Sequence, residues 1–219
     1  MSAAESAGAI RSDVVAAMHR LEETGLNCGT AGNASVRLAA DSFLVTPSGV
    51  KPRGLTADAI VEMSLAGTPL QAGARPSSEW RFHRDIYLSR GEVEAIVHVH
   101  SPHATALACR RLPIPQFHYM VAVAGGTDVR CADYARFGTQ ALSDHALSAL
   151  AGRQACLLAN HGMITLGATL TAAIDLALEV ELLAQQYLLS LAGGTPQLLS
   201  DSEMEEALAA FAEYRDRHE

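Results

Sequence analysis

Apolar residues recur at helical spacing in three parts of the chain. In the first, Ile10, Val14 and Met18 would share one face of a helix. The later two are rich in Ala, Leu and Glu, which favour helices. The predicted helices of this kind cover residues 6–24, 170–191 and 202–214.

Shorter apolar runs between turn residues predict strands. Residues 34–38 alternate between apolar and polar side chains, as in a half-buried strand. The other predicted strands cover residues 43–46, 95–100 and 155–159. One further helix is predicted to begin near Ser77, where hydroxyls can cap it, and another to follow Pro102. This mixture indicates an α/β or α+β protein, and the pattern alone does not decide whether the sheet is parallel.

Composition and net charge exclude some classes of binding partner. The chain has 219 residues, 49% of them hydrophobic, and a net charge of −8. Its length fits one domain. Nucleic acid is not an expected partner, because no basic run offers the clustered cations that a phosphate backbone requires. No apolar run is long enough to span a bilayer and the N-terminal residues lack a signal-peptide pattern, so we expect a cytoplasmic protein without a membrane partner.

The four cysteines do not predict a disulfide framework or a thiolate metal site. Cys28, Cys109, Cys131 and Cys156 are widely spaced and include no CxxC pair. We expect at least three of them to be buried, reduced packing residues. Cys28 lies beside a glycine-rich segment and is the one that could line a site.

Three histidines are candidate metal ligands. His98 and His100 are two residues apart in a predicted strand, so their side chains point to the same face. The alternative is a polar face on an edge strand, but the apolar neighbours of the pair argue against a solvated strand. A catalytic zinc site usually takes three protein ligands, and His161, after the strand at 155–159, is the best third candidate.

Glu79 is the leading candidate for an acid or base. It stands at a predicted helix start beside Ser77 and Ser78, where free N–H groups favour anions such as phosphate. The plainer interpretation is a glutamate that complements the helix dipole, next to two capping serines. His83, four residues later, is expected to make an exposed hydrogen bond with Glu79. His103, His118 and His145 are expected to be structural, since none has a comparable partner.

The glycine-rich segment at residues 29–33 is not a dinucleotide loop. It is neither a GxGxxG motif after a strand nor a P-loop, and it precedes a strand instead. A backbone nest with the amide of Asn33 could still hold a single phosphate.

Taken together, the segments resemble the class II aldolase/adducin family, and within it the L-fuculose-phosphate aldolase branch. The resemblance runs from about residue 25 to residue 214. The segments that carry it are GLNCGTAGNASVR (25–37), TPSGV (46–50), PSSEWRFH (76–83), IVHVHSPH (96–103), FHYMVAVAGG (117–126), YARFGT (134–139) and LLANHGM (157–163).

The resemblance assigns roles to particular residues. It implies Zn²⁺, or another divalent ion, on His98, His100 and His161, with Glu79 as fourth ligand and catalytic base. Tyr119 would reach the site of a neighbouring subunit and donate a proton. The implied phosphate pocket consists of Asn33, Ser48, Gly49, Ser77 and Ser78, and the implied aldehyde pocket of Phe137, Phe211 and Tyr214.

The resemblance also implies the architecture and the reaction. The expected fold is a three-layer αβα sandwich with a largely antiparallel central sheet, formed by residues 1–219 as one domain. A tail from about residue 203 would close over the site, and the assembly would be a homotetramer with sites between subunits. The expected reaction is reversible cleavage of L-fuculose 1-phosphate, a phosphorylated sugar, to dihydroxyacetone phosphate and L-lactaldehyde.

Several alternatives stay open at this point. Within the aldolases they are 5-deoxyribulose 1-phosphate and 5-methylthioribulose 1-phosphate as substrates. Beyond them are a pentulose-phosphate 4-epimerase, a methylthioribulose-phosphate dehydratase and a sugar-acid phosphate decarboxylase. A non-catalytic adducin-like scaffold is the rival from another class, and it would be expected to have lost metal ligands that are intact here.

Overall fold

The computed structural model describes residues 3–216, which form six α-helices and seven β-strands. The helices are α1 (Ala3–Glu23), α2 (Trp80–Ser89), α3 (Pro102–Cys109), α4 (Gln140–Ala149), α5 (Leu170–Ala192) and α6 (Asp201–Asp216). The strands are β1 (Asn33–Ala39), β2 (Ser42–Val45), β3 (Val61–Ser64), β4 (Ala95–Val99), β5 (Arg130–Ala132), β6 (Ala155–Leu158) and β7 (Gly162–Gly167). Short 3₁₀ helices cover Pro52–Gly54, Ala57–Ala59 and Tyr119–Ala124.

The seven strands form one mixed sheet between two layers of helices. The strand order is β3-β2-β1-β4-β7-β6-β5, and every pair is antiparallel except the parallel pair β5–β6. Helices α1, α3, α5 and α6 pack against one face, and α2 and α4 pack against the other. The predicted three-layer sandwich with a largely antiparallel sheet is confirmed.

The central strand β4 shows how the sequence divides the core into two. Side chains alternate between the two faces of a strand. Val97 and Val99 accordingly join the apolar cluster under α1, α3 and α5, whereas Ile96 joins the cluster under α2 and α4. His98 has the parity of Ile96, and its ring lies edge-on to Phe82 of α2, with ring centroids 5.5 Å apart. The otherwise apolar strand β4 therefore places the imidazole of His98 on the face of the sheet that α2 covers.

The helices predicted from periodicity are confirmed as α1, α5 and α6. Several boundaries differ by up to about three residues; for example, β4 ends at Val99 rather than at residue 100, and α2 begins at Trp80 rather than at the serines before it. Elements β3, β5, β7 and α4 were not predicted, because their stretches are short or lack a clear apolar period. Among the described residues, no helix is long and apolar enough to cross a membrane.

The expectation for the cysteines is wrong in part. All four thiols are free, as predicted, but only Cys156 is buried. Cys131 is partly buried, and Cys28 and Cys109 are exposed. Cys109 ends helix α3 and Cys28 lies in a loop. The spacing of the cysteines along the sequence does not indicate whether their thiols are buried.

We expect Gly162→Ala to destabilise the protein where β7 meets β4. A Cβ atom at this position would overlap the carbonyl oxygen of Val99 and lie 2.9 Å from Cδ2 of His100. Overpacking of this kind costs about 1–3 kcal/mol. Urea unfolding would measure the loss, with Gly91→Ala as the matched control, since a Cβ at Gly91 meets nothing within 4 Å. Equal stability of the two variants would contradict this account of the close approach.

Candidate metal centre and active site

Strand pairing brings three histidines to one edge of the sheet. His98 lies in β4, and the next residue, Val99, pairs with Met163 of β7. His100 lies just beyond the end of β4, and His161 lies in the turn just before β7. Since β4 and β7 are antiparallel, the end of one strand meets the start of the other. Residues more than 60 positions apart in the chain therefore become neighbours.

The three imidazoles are close enough to share one ion. One ring nitrogen from each lies within 4.8 Å of those of the other two, and Nε2 of His98 is 3.0 Å from Nε2 of His100. His98 is fully buried, and its Nδ1 lies 2.8 Å from the carbonyl oxygen of Met163. Because a carbonyl can only accept, Nδ1 carries a proton, and whenever the ring is neutral the lone pair of Nε2 is available to a metal ion.

Glu79 completes the cluster from the helix side. It immediately precedes α2, and its side chain does not cap that helix. Its Oε2 lies 3.3 Å from Nε2 of His98, and its Oε1 lies 3.3 Å from Nε2 of His161. Asn33 donates from Nδ2 to Oε2 at 2.9 Å. Within residues 3–216, the buried Oε1 has no hydrogen-bond partner.

The pKa shifts of Glu79, His100 and His161 suit metal binding, whereas that of His98 favours a protonated ring, whose proton a metal ion must displace. Burial alone raises the pKa of Glu79, but charge on His98 and His161 and hydrogen bonds from His98 and Asn33 outweigh it and hold that pKa well below its usual range. Burial lowers the pKa of His100 to about 4 and that of His161 to about 3. Burial also lowers the pKa of His98, but Glu79 outweighs it and the net shift is upward. An ionised carboxylate and neutral imidazoles are the states that a metal requires.

The donor set fits a divalent metal ion. Three imidazole nitrogens and a carboxylate oxygen match the ligands and the number that a tetrahedral site takes. The unpartnered Oε1 of Glu79 supports the same conclusion, because a buried carboxylate oxygen is costly unless a proton donor or a cation meets it.

A cavity of about 310 Å³ opens beside the cluster. Its wall includes Glu79, His100 and His161. It also includes all five residues expected in a phosphate pocket, namely Asn33, Ser48, Gly49, Ser77 and Ser78. Among the described lining residues there is no Lys or Arg, so hydroxyls, an amide and backbone N–H groups are what an anion would meet.

The four aromatic candidates divide into two groups. Phe137 lines the cavity. Tyr119 is 53% exposed and stacks on Phe211 of α6, with ring centroids 6.2 Å apart. Tyr214, also on α6, is 60% exposed. Tyr119, Phe211 and Tyr214 do not line the cavity of the described chain. A single copy of the chain therefore does not place them in the cavity beside its own histidines.

Sequence reasoning missed part of the cavity wall. Tyr134, Ala135 and Asn160 also line the cavity. Asn160 has a φ of 56°, a left-handed conformation that asparagine tolerates and that makes the turn before His161 tight. An Asn-His-Gly sequence after a strand was the available signal for this turn.

The expectation for His83 is wrong. Instead of an exposed bond to Glu79, His83 is fully buried and contacts Asn33 and Ser35. Two periodicities could have revealed this: Asn33 and Ser35 share one face of β1, and His83 and Tyr87 lie one turn apart on α2.

The three histidines expected to be structural each contact another part of the chain. His103 pairs with Glu181, His118 accepts from the backbone N–H of Met120, and His145 contacts the carbonyl oxygen of Asp133.

Known proteins are similar to this one over most of the chain. The family described as Class II Aldolase and Adducin N-terminal domain matches residues 12–188. A 5-methylthioribulose-1-phosphate/5-deoxyribulose-1-phosphate aldolase of Rhodospirillum rubrum is 51% identical over 208 residues, 95% of this chain and 93% of that protein. An L-fuculose phosphate aldolase of Escherichia coli O6:H1 is 48% identical over 191 residues, 87% of this chain and 88% of that protein. A solved L-fuculose 1-phosphate aldolase superimposes with a TM-score of 0.89 at 40% identity, covering 92% of this chain and 95% of that one.

The chain therefore belongs to the class II aldolase and adducin family. Within that family it is a class II aldolase, a lyase that depends on a divalent metal ion. The resemblance found in the sequence is thus confirmed at the level of family, fold and enzyme class.

We expect His98→Ala to lose bound metal. The variant removes the buried nitrogen at the centre of the cluster, and the remaining ligands cannot enclose the ion. After dialysis against zinc-free buffer, bound metal per chain should fall at least about tenfold, measured by elemental analysis. His145→Ala on α4 is the control, since that histidine contacts the carbonyl oxygen of Asp133 and is not part of the histidine cluster. Full metal content in His98→Ala would remove His98 from the ligand set.

Proposed function

We propose that the chain, residues 1–219 as one domain, is a zinc-dependent aldolase that cleaves a ketose 1-phosphate reversibly. The products are dihydroxyacetone phosphate and a short aldehyde. The observation that carries the proposal is the juxtaposition of three histidines and Glu79 with a cavity rich in neutral anion-binding groups. L-Fuculose 1-phosphate, which would yield L-lactaldehyde, is the first substrate to test.

The phosphate would lie against Asn33, Ser48, Gly49, Ser77 and Ser78. Ser77 is buried, and its Oγ accepts from the backbone N–H of Glu79 at 3.3 Å, so its hydroxyl proton stays available. The segment also leads into the N-terminus of α2, whose free N–H groups favour an anion. Fixing the phosphate holds the sugar carbons in one orientation beside the ligand cluster, which assists the reaction.

Glu79 would move the proton at the reacting carbon. When zinc is bound by His98, His100 and His161, it supplies Lewis-acid stabilisation of the charge that develops on the substrate oxygens. As the carbon–carbon bond breaks, its electron pair stays with the phosphorylated half. Glu79, ionised in the cluster without substrate, would first take up a proton from solvent and then deliver it to that carbon, and in the synthetic direction the carboxylate takes the proton back.

Tyr119 would act in the site of a neighbouring copy. Its exposure, and its absence from the described residues that line the cavity of its own chain, support this arrangement, which requires an oligomer, proposed here as a homotetramer. In cleavage, the Tyr119 oxygen would receive the hydroxyl proton of the carbon that becomes the aldehyde while the proton of its own hydroxyl passes to solvent. The tail from about residue 203, with Phe211 and Tyr214, would close over the aldehyde together with Phe137.

A second group of substrates is favoured by two observations. The R. rubrum relative is named for 5-methylthioribulose 1-phosphate and 5-deoxyribulose 1-phosphate and is 51% identical. In addition, Phe137 and Ala135 give the cavity an apolar wall that suits a deoxy or methylthio end. One methylene changes discrimination by only about 1–3 kcal/mol, so a site of this kind accepts several such sugars.

The first experiment compares the three ketose 1-phosphates with zinc-loaded protein. Release of dihydroxyacetone phosphate is coupled to NADH oxidation, and L-ribulose 5-phosphate is included with a product assay for epimerisation. Chelator-sensitive release is expected from at least one 1-phosphate, and the ratio of kcat/KM values ranks the aldehydes. Conversion of L-ribulose 5-phosphate without any release would overturn the aldolase reaction in favour of an epimerase.

Mixing two inactive variants would test whether Glu79 and Tyr119 act in one site from two copies. Glu79→Gln and Tyr119→Phe should each retain zinc, and the first should lower kcat by about 10²–10⁴-fold. Co-refolded in equal amounts, they should regain about a quarter of the wild-type activity, because one site in four then contains both native residues. Each variant refolded alone is the control. A mixture no more active than its components would contradict the shared site.

A further inference from the structure

A chain of buried hydrogen bonds connects Glu79 to the interior of the protein. The Tyr87 hydroxyl lies 2.8 Å from Ser35 Oγ, which lies 2.7 Å from His83 Nδ1. On the other side of the ring, His83 Nε2 lies 2.5 Å from Asn33 Oδ1. The Asn33 amide then donates from Nδ2 to Glu79 Oε2 at 2.9 Å. Five side chains from β1, α2 and the segment before α2 therefore form one continuous path.

The Glu79 carboxylate at one end of the path determines which group donates and which accepts in each hydrogen bond. The Glu79 carboxylate can only accept, so the Asn33 amide must turn its NH₂ group toward it. Asn33 Oδ1 then faces His83 and needs a donor, which places the proton of the neutral ring on Nε2. Nδ1 is left as an acceptor for the Ser35 hydroxyl, and the Ser35 oxygen accepts from Tyr87. Each member thus donates toward Glu79.

The surroundings keep this arrangement intact. Ser35 and His83 are 0% exposed and Tyr87 is 2% exposed, so no bulk water can replace a lost partner. The His83 ring also stacks on Phe82, with ring centroids 4.5 Å apart. Burial, together with charge on His98, lowers the pKa of His83 to about 3, which keeps the ring neutral.

We propose that His83 is a positioning residue that locks the Asn33 amide and, through it, one oxygen of Glu79. The Ser35 hydroxyl, which accepts from Tyr87, donates to Nδ1 of His83 and so stabilises the proton on Nε2, which keeps the amide oxygen turned away from the carboxylate. Glu79 Oε2 is then held by Asn33, whereas Oε1, without a hydrogen-bond partner among the described residues, stays directed at His161. The two carboxylate oxygens therefore become inequivalent before any substrate arrives. The consequence for turnover rests on the proposed function of Glu79.

The direct test is the tautomer of His83 in zinc-loaded, full-length protein. Long-range ¹H–¹⁵N spectra of ¹⁵N-histidine-labelled protein distinguish a proton on Nε2 from one on Nδ1, and the His83 signals are those lost in His83→Gln. We expect the Nε2–H form in the native protein and a share of the Nδ1–H form in Ser35→Ala. An Nδ1–H ring in the native protein would overturn the proposal, because that ring cannot donate to Asn33.

Kinetics of two variants separate positioning from packing. His83→Leu removes the donor to Asn33 and should lower kcat about 10–100-fold with zinc content unchanged, as for other residues that orient metal ligands. His83→Gln keeps an N–H donor at similar reach and should recover most of that loss. His145→Leu on α4 is the matched control. Native kcat in His83→Leu, or equal losses in the leucine and glutamine variants, would overturn the positioning role.

The two proposals fail in different ways. If zinc-loaded native protein cleaves none of the ketose 1-phosphates, the proposed function fails. The tautomer measurement does not depend on turnover, so it still decides the direction of the hydrogen bonds.

Discussion

The candidate centre depends on the antiparallel register of β4 with its two neighbours. His98 pairs with Asn33 of β1, and Val99 pairs with Met163 of β7. A slip of one residue would turn His98 toward the α1 face and replace it by an apolar side chain, because side chains alternate along a strand. The register is secured on both faces by Val97 and Ile96, which belong to separate apolar clusters. The core that stabilises the fold therefore also sets the ligand geometry.

Glu79 lies between two groups of buried polar side chains inside this core. On one side are the imidazoles, and on the other is the hydrogen-bonded path through Asn33. Buried polar atoms are costly unless partners satisfy them, and Glu79 Oε1 has none among the described side chains. A divalent cation removes that cost and, by binding only the folded chain, shifts the folding equilibrium toward it.

Local patterns predicted much of the fold and most of the metal cluster. Helices α1 and α5 carry long apolar periods, and the HxH spacing in β4 placed two imidazoles on one face. Such patterns could not predict the pairing of β7 with β4, which places His161 in the cluster. Strand β7 has no clear alternation of apolar and polar residues, and the residues that pair there are far apart in sequence. His83 was misjudged for a similar reason, since its burial comes from the packing of α2 on β1 rather than from its neighbours in sequence.

The cavity wall combines the segments that carry the ligands with a loop that supplies no ligand. The ligands come from β4, the turn before β7 and the start of α2, whereas Tyr134, Ala135 and Phe137 come from a loop between β5 and α4. No residue of that loop belongs to the histidine cluster or to the hydrogen-bonded path behind Glu79. The loop meets the segment around Glu79 through its backbone, since Arg81 donates to the carbonyl oxygen of Gly138. Side chains of the loop can therefore change the cavity wall without changing a ligand, and relatives named for different sugars share about half their residues with this chain.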